Sequence, residues 1–317
     1  MAERPESKRR EAKPAQTGSG TVAGPQRKSG TLAPGLWLVA TPIGNSADVS
    51  LRALDVLRNA DVLACEDTRR TRKLMDIHGI ALNGRRMISY NDQNGAGRRP
   101  QIVAMLTEGQ SVAYASDAGT PLVADPGYRL VEAANAEGLK VHVVPGASAV
   151  LAALSVAGLP TDRFMFMGFL PVKSTARKRE FAEVANLRST LVLFESPKRL
   201  SALLGDAASS LGEARTAAVV REITKKFEEV HRGTLSELAE FYRDHPPKGE
   251  IVVVIEPPDR SALQDELSME EIDALIRAAL ETQSTKDAAK AVALQTGLAK
   301  RTIYQRTVEI AGALNEP

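Results

Sequence analysis

The stretch Gly35–Arg70, GLWLVATPIGNSADVSLRALDVLRNADVLACEDTRR, decides the fold. It opens with an apolar run, Leu36 to Ala40, broken by Thr41-Pro42-Ile43-Gly44-Asn45. Ser50 then stands where a helix N-cap belongs, and Leu51, Leu54 and Leu57 follow at helical spacing. A second apolar run, Val62 to Ala64, leads into Glu66-Asp67-Thr68-Arg69. The next helix, Thr68 to His78, is closed by Gly79. Strand alternating with helix predicts an α/β fold with a largely parallel sheet.

Working outward, the alternation continues. Arg99 to Glu108 reads as a helix, Ser111 to Ala115 as a strand, and Tyr128 to Glu137 as a helix. Lys140 to Val144 is a strand stopped by Pro145-Gly146, and Ala147 to Ala157 is a helix ended by Gly158. A second series starts near Asp162. Its strands are Arg163 to Phe169, Leu191 to Phe194, Ala217 to Arg221 and Glu250 to Ile255. Its helices are Ala176 to Asn186, Arg199 to Leu211 and Leu235 to Asp244. After Pro257-Pro258 only helices are expected: Met269 to Glu281, Lys286 to Thr296 and Ala299 to Ile310. The last two, joined at Gly297, could mimic a helix-turn-helix, but a packing module is the favoured reading over an RNA contact, since helix pairs are common everywhere. The expected units are a disordered tail (1–34), an N-terminal α/β domain (35–158), a C-terminal α/β domain (159–258) and a helical appendage (259–317).

Composition limits the function. The 317 residues suit about two domains. Apolar residues make up 43%, but no run approaches the ~20 needed to cross a membrane, so a cytoplasmic protein without a membrane partner is expected. The polar, charged N-terminus lacks the apolar segment of a secretory signal. Cys65 is the only cysteine, which excludes an internal disulfide and a cysteine metal site. The four histidines form no ligand-spaced pair, so no metal is expected. Net charge is only +2. Basic residues nevertheless cluster at Arg69-Arg70-Thr71-Arg72-Lys73, Arg85-Arg86, Arg98-Arg99, Arg177-Lys178-Arg179, Lys198-Arg199 and Lys225-Lys226, where phosphates could be held.

In open α/β sheets ligands sit beyond the carboxyl ends of the strands. The segments there are Thr41 to Asn45, Glu66 to Arg69, Ser89 to Asn94, Ser116 to Gly127 and Pro145 to Ser148. Ordinary turns use the same Gly, Pro, Asp and Ser. The Ser116 to Gly127 stretch is longer than connection requires, which points to a ligand loop. Neither G-x-G-x-x-G nor a P-loop is present, and there is no G-x-S-x-G elbow. The residues alone therefore describe an α/β enzyme with an unusual small-ligand cleft.

The strings VATPIGNSADVSLRALDVLRNADVLACEDTRRTRKLM, SYNDQN, ASDAGTPLVADPG, VVPGASA, GFLP, LFESPKR and GEIVVVIE occur in order from about Gly35 to Glu256. In them the chain resembles the ribosomal RNA small subunit methyltransferase I family of the tetrapyrrole methylase superfamily, the class III methyltransferases. The helical tail resembles that family's tail, whereas the N-terminal extension does not. The resemblance implies a bilobal fold, with S-adenosyl-L-methionine folded between two α/β domains, and a homodimer. It also implies 2′-O-methylation of a cytidine in small-subunit ribosomal RNA.

The cofactor segments it implies are Thr41, Pro42 and Gly44; Ser116, Asp117, Ala118, Gly119, Thr120 and Pro121; Pro145, Gly146 and Ser148; and Met167, Phe194 and Glu195. The first loop is less Gly-rich than in porphyrinoid methylases and lacks their terminal acid, and Glu66-Asp67-Thr68-Arg69 also points to the RNA branch. A ribose hydroxyl needs a proton acceptor or a charge that stabilises the alkoxide. Asp67 with Arg69 is the preferred pair, and Glu66 and Lys225 are further candidates. For Asp67 a helix N-cap is an equally good reading. Two alternatives remain open: a methyltransferase of the same fold acting on a porphyrinoid or on diphthamide, and a non-catalytic RNA-binding assembly protein.

Overall fold

The computed structural model describes residues 30, 32–124, 127–259, 269–296, 298 and 300–314. Most of the expected tail (1–29 and 31) therefore lies outside the described residues, as do Asp125, Pro126 and Gly297. Leu32, assigned to that tail, is instead partly buried against the first core.

The first sheet contains β1 (Gly35–Val39), β2 (Val62–Cys65), β3 (Arg86–Ser89), β4 (Ser111–Ala115) and β5 (Val141–Val144). They run parallel in the order β3-β2-β4-β1-β5. Helices α1 (Leu51–Asn59) and α2 (Thr68–Ile77) cover one face, enclosing Leu57, Leu63, Met75 and Ile80. Helices α3 (Gly95–Thr107) and α4 (Tyr128–Ala136) cover the other, around Ile102, Leu106, Tyr114 and Leu130. Both faces are dry, which is why β2 and β4 are apolar runs rather than alternating strands. Ser50 caps α1 as its position predicts, accepting from the Ala53 N–H at 3.0 Å. Helix α3 starts four residues before the expected Arg99, where the Asn91 carbonyl accepts from the Gly95 N–H at 2.7 Å.

Helix α5 (Ala149–Ala157) follows β5 in sequence but leaves the first sheet. Its Val150, Ala153, Leu154 and Ala157 pack on Val192, Ala218, Val220, Val252 and Val254 of the second sheet. The change of packing unit thus falls before α5, near Pro145-Gly146, rather than at Gly158.

The second sheet holds β6 (Phe164–Phe169), β7 (Thr190–Glu195), β8 (Thr216–Arg221), β9 (Glu229–Thr234) and β10 (Ile251–Ile255), in the order β6-β7-β10-β8-β9. Only β6 and β7 are parallel; the remaining pairs are antiparallel. The expectation of a largely parallel sheet holds for the first lobe alone. The short link from β8 to β9 forces an antiparallel return. Strand β9 was not anticipated, because EVHRGT is a polar edge strand without an apolar run. Helices α6 (Ser174–Val184), α7 (Leu200–Leu211) and α8 (Leu235–Asp244) cover the face opposite α5. Three further helices, α9 (Met269–Leu280), α10 (Thr285–Thr296) and α11 (Lys300–Leu314), share a small core of Ile272, Ile276, Val292, Ile303 and Ile310.

Within the second lobe the Arg177 and Asp206 side chains are almost completely buried as an ion pair. The Arg177 Nε donates to Asp206 Oδ2 at 2.8 Å, and Ser174 Oγ donates to Oδ1 at 2.8 Å. Removing one partner leaves a buried, uncompensated charge. Asp206→Ala is expected to destabilise the protein by about 3–5 kcal/mol, read from urea unfolding. The Arg177→Met, Asp206→Leu double substitution should cost less than Asp206→Ala alone; an equal or larger loss would contradict this account.

Candidate functional site

The loops at the carboxyl edge of the first sheet meet the second lobe across a cleft of about 410 Å³. Two small interactions build its first wall. Thr41 and Gly119 exchange backbone hydrogen bonds, N–H to carbonyl, at 2.9 and 3.0 Å, tying the loop after β1 to the loop after β4. Thr41 Oγ1 also donates to the Ser116 carbonyl at 3.1 Å, and Ser116 Oγ to the Gly119 carbonyl at 3.0 Å. Gly119 sits at φ +77°, a left-handed conformation that a side chain would strain. Thr120 Oγ1 donates to the Ala147 carbonyl at 3.2 Å, which fixes the third loop to the same frame. Ile43, Ala118, Gly119 and Thr120 face the cleft from this lobe, and Ser148 lines it as the N-cap of α5.

The opposite wall is apolar and aromatic. Phe169, Phe194, Ile223 and Val252 line it, with Gly249 and Ile251, and Glu195, Ser196 and Glu250 add polar groups at it. The Phe194 ring meets Phe166 and Phe169 edge-on, with centroids 4.9 and 5.6 Å apart. Phe166 and Phe169 would lie on opposite faces of a regular strand. A bulge between Phe166 and Gly168, with Gly168 at φ +63°, brings them to the same side. Met167 consequently turns to the far face and packs in the α6–α8 core. Met167, expected among the cofactor residues, does not line the cleft, whereas Phe169 does.

A second, polar pocket of about 540 Å³ lies beside the cleft, lined by Glu66, Asp67, Arg69, Ser89, Asn91, Asp92 and Asp117 among others. The ends of β2 and β4 are clasped here by an exchange of carboxylates. The Asp67 N–H donates to Asp117 Oδ1 at 2.9 Å, and the Asp117 N–H donates to Glu66 Oε2 at 3.0 Å. Burial pushes the Glu66 carboxyl above its ordinary value, and the neighbouring Asp117 adds to the rise against the Asp117 N–H bond. Asp67 behaves oppositely. Its carboxylate accepts from the Arg69 N–H at 2.8 Å, from Nε at 3.1 Å and from the guanidinium at 2.7 Å. Those bonds hold it down at about 2. Asp67 is the N-cap of α2, so of the two readings the capping one describes its bonding.

Lys225 is placed elsewhere. Its ammonium bridges Glu222 at 2.8 Å and Glu250 at 2.9 Å. Partial burial works against the charge, but the two carboxylates prevail and raise the ammonium above its ordinary range. Lys225 does not line the polar pocket that holds the other three catalytic candidates. It packs with Thr224 against Gly44, so close that a Cβ on Gly44 would meet Lys225 Cγ at 2.5 Å and Thr224 Oγ1 at 2.7 Å. Asn45 N–H donates to Thr224 Oγ1 at 3.3 Å across the same junction.

Of the expected cofactor residues, Ala118, Gly119, Thr120, Ser148, Phe194 and Glu195 line the cleft. Thr41 and Ser116 brace the wall from behind, and Gly146 packs on Ala40, 3.0 Å from where a Cβ would stand. Asp117 faces the polar pocket, while Pro42, Pro121 and Pro145 line neither space. Sequence reading missed Val123, Ala124, Phe169 and Ile223. Val123 and Ala124 lie in the Ser116 to Gly127 stretch and Phe169 in GFLP, both singled out above, but nothing in their spacing says that they turn inward; Ile223 lies in no such string. Among the described residues, no cluster of three or more His, Cys, Asp or Glu could hold a metal, and no helix is long and apolar enough to cross a membrane.

Residues 35–239 match the Tetrapyrrole (Corrin/Porphyrin) Methylases, and residues 266–311 match the RsmI C-terminal HTH domain. A ribosomal RNA small subunit methyltransferase I from Mesorhizobium japonicum is 47% identical over 286 residues, covering 90% of this chain and 95% of its own. One from Synechocystis sp. is 40% identical over 278 residues, covering 87% and 98%. Uroporphyrin-III C-methyl transferase from Thermus thermophilus, solved in complex with S-adenyl homocysteine, shares the fold at a TM-score of 0.50 and 19% identity, covering 70% of this chain and 96% of its own. Both lobes and the helical unit are thus accounted for: the chain belongs to the tetrapyrrole methylase family and, within it, to the ribosomal RNA small subunit methyltransferase I group.

Proposed function

We propose that this S-adenosyl-L-methionine-dependent ribosomal RNA methyltransferase methylates the ribose 2′-hydroxyl of a cytidine in the small subunit, in the cytoplasm and as a homodimer. The observation that carries the reading is the pairing of two unlike spaces: an apolar cleft between the lobes and, beside it, a polar pocket containing a carboxyl of raised pKa.

The residues present fit the methyl donor. Phe169, Phe194 and Val252 offer apolar walls, and the Gly119–Thr120 backbone, free of a Cβ at Gly119, lets a ligand approach closely. When bound, the donor supplies an electrophilic methyl group on a sulfonium. It would pass that methyl to the ribose oxygen with the thioether as leaving group, so that this chain's residues must orient the ribose and take its hydroxyl proton. Positioning supplies much of the rate for such a step. Glu66 is the proton acceptor in this reading. One of its oxygens is held by the Asp117 N–H, and burial makes the carboxylate more basic than an exposed one. Asp67, ionised and saturated by Arg69, is a much weaker base; the pair lines the pocket without taking the proton. Asn91 and Ser89, bonded to one another and to Asn94, border the space where the nucleotide would lie. Lys225 contributes by joining the lobes rather than by chemistry.

Purified protein, labelled S-adenosylmethionine and small subunits lacking the modification are expected to yield label in 2′-O-methylcytidine after digestion to nucleosides. Label in a base or in another nucleoside would overturn the cytidine 2′-O assignment, and no label in RNA would overturn the RNA reading. In single-turnover assays Glu66→Gln should slow transfer by about 10²–10⁴-fold, and Asp67→Asn by far less. The pH profile gives an independent check. Protonated Glu66 cannot accept the proton, so the rate should fall as pH drops toward a value above the ordinary 4.5. A base titrating at about 2, as Asp67 does, would leave the rate flat over that range.

The lobe junction makes a separate prediction. Gly44→Val intrudes on Thr224 and Lys225 and forces the lobes apart. Cofactor affinity, measured by calorimetry, should drop about tenfold or more, in the range expected for a misplaced binding wall. Unchanged affinity would show that the junction does not set the cleft width.

A further inference from the structure

We propose that the C-terminal helical unit is a second RNA-docking surface, holding phosphates with Lys286, Lys290, Lys300 and Arg301 at the end of the second lobe remote from the cleft. This rests on the reading of the chain as a ribosomal RNA methyltransferase and adds a separate surface to it.

The first observation is how the unit divides its charges. Helix α9 is acidic at its start, with Glu270, Glu271 and Asp273. The side of α11 turned toward α9 is neutralised: Arg306 forms a two-pronged pair with Asp273, at 2.6 and 2.8 Å, and a further bond to Glu309 at 2.8 Å. The remaining cations of α10 and α11 are not neutralised. Lys286, Lys290, Lys300 and Arg301 are all exposed, and none has an ion-pair partner among the described residues. Lys286 and Lys290 are one turn apart on α10, opposite its buried Ala288, Ala289 and Val292. On α11 the buried residues are Ile303, Thr307 and Ile310, and Lys300, Arg301 and Tyr304 occupy the flank away from Arg306. Tyr304 is 46% exposed, one turn from the two cations, and can lie against a sugar or base while they hold phosphates. Paired cations contribute little to phosphate binding; unpaired ones at the start of the second helix of a helix-turn-helix stand where that motif meets nucleic acid.

The second observation is position. The unit is fastened to the second lobe by Arg188, which donates to the Thr296 carbonyl at 3.3 Å. Arg188 precedes β7, whereas Glu195, the last residue of β7, lines the cleft. Strand β10 likewise begins at the cleft with Ile251 and ends at Ile255, where the chain departs toward the helices. A strand of this length spans roughly 17 Å, so the attachment lies about a strand's length from the cleft. A mononucleotide cannot touch both places, but a folded RNA can. The unit therefore grips the substrate without entering the reaction.

The test uses the full chain with Lys286, Lys290, Lys300 and Arg301 all changed to Gln, its fold checked by circular dichroism and thermal melting. The probes are protein-free small-subunit RNA for binding and unmodified small subunits for turnover. RNA affinity should fall about 10- to 100-fold near 0.15 M salt, and the salt slope should shrink by about 3, since each phosphate contact contributes ~0.7–0.9. KM for subunits should rise while kcat at saturation and S-adenosylmethionine affinity stay within about twofold. A control with Lys→Arg at 286, 290 and 300 keeps the charge and should keep the affinity. Unchanged RNA affinity and salt slope overturn the proposal while leaving the methyltransferase reading intact. A KM effect without loss of RNA affinity assigns the surface to a protein partner and overturns it as well. If the wild-type chain labels no RNA although it binds cofactor, both readings fall together, and that outcome is separable because it does not involve the variant.

Discussion

The functional architecture depends on one helix packing on the wrong sheet. Helix α5 leaves the carboxyl end of β5 and buries Val150, Ala153, Leu154 and Ala157 against the second sheet. Each large apolar side chain so buried contributes ~1.5–3 kcal/mol, and together they fasten the second lobe over the open end of the first. If α5 returned to the first sheet, as a regular βαβ repeat would have it, the carboxyl-edge loops would face solvent. Because it crosses over, its N-cap Ser148 and its first residues, Ala149 and Val150, become part of the cleft. The junction of Gly44 with Thr224 and Lys225 is a second, smaller tie between the same two lobes.

That closure explains where the backbone is strained. Leu122 (φ 74°) and Ala124 (φ 57°) follow the Gly119 turn, and Glu222 (φ 50°) and Thr224 (φ 64°) lie in the loop from the second lobe. Apart from glycines and Asn83, these are the left-handed residues among those described. Each costs about 1–2 kcal/mol. They persist because neighbouring bonds hold them: Glu222 accepts from the Glu250 N–H and from Lys225, and the Thr224 N–H donates to Glu228 at 2.6 Å. Strain gathered in loops that line the cleft is what a preorganised binding wall requires.

The sequence reveals the first lobe more completely than the second, for physical reasons. Strands buried on both faces must be apolar, so β1, β2 and β4 stand out as runs, and Gly79, Gly109 and Gly158 mark the ends of helices. Strand β9 carries Glu229, His231 and Arg232 on a sheet edge and leaves no such pattern. Strand direction in the second sheet is likewise invisible, because an apolar strand reads alike in both senses. At the site, the loops could be located from their place after strands, but not which side chains turn inward. Met167 and Phe169 differ by a bulge that only the backbone reveals. Asp67 and Glu66 are adjacent and look interchangeable, yet one is saturated by Arg69 and the other is partly desolvated by its place in the clasp with Asp117.

The polar pocket is acidic, although an RNA substrate is a polyanion. Glu66, Asp67, Asp92 and Asp117 converge there, and a polyanion approaching them would be repelled. The chemistry explains the arrangement. In the proposed reaction Glu66 accepts the proton as a carboxylate, and a cation placed against it would lower its pKa and weaken it as a base. Arg69 and Arg70 pair with Asp67 and Asp117, the second at 3.4 Å, and Arg70 lowers Glu66 only through its longer-range charge, which burial outweighs. The attraction for phosphate must then come from elsewhere on the molecule, at a distance beyond the screening length of about 8 Å. Cations there can hold the RNA without quenching the base. A separate basic surface, as proposed for the C-terminal helices, would meet that charge requirement without weakening the base.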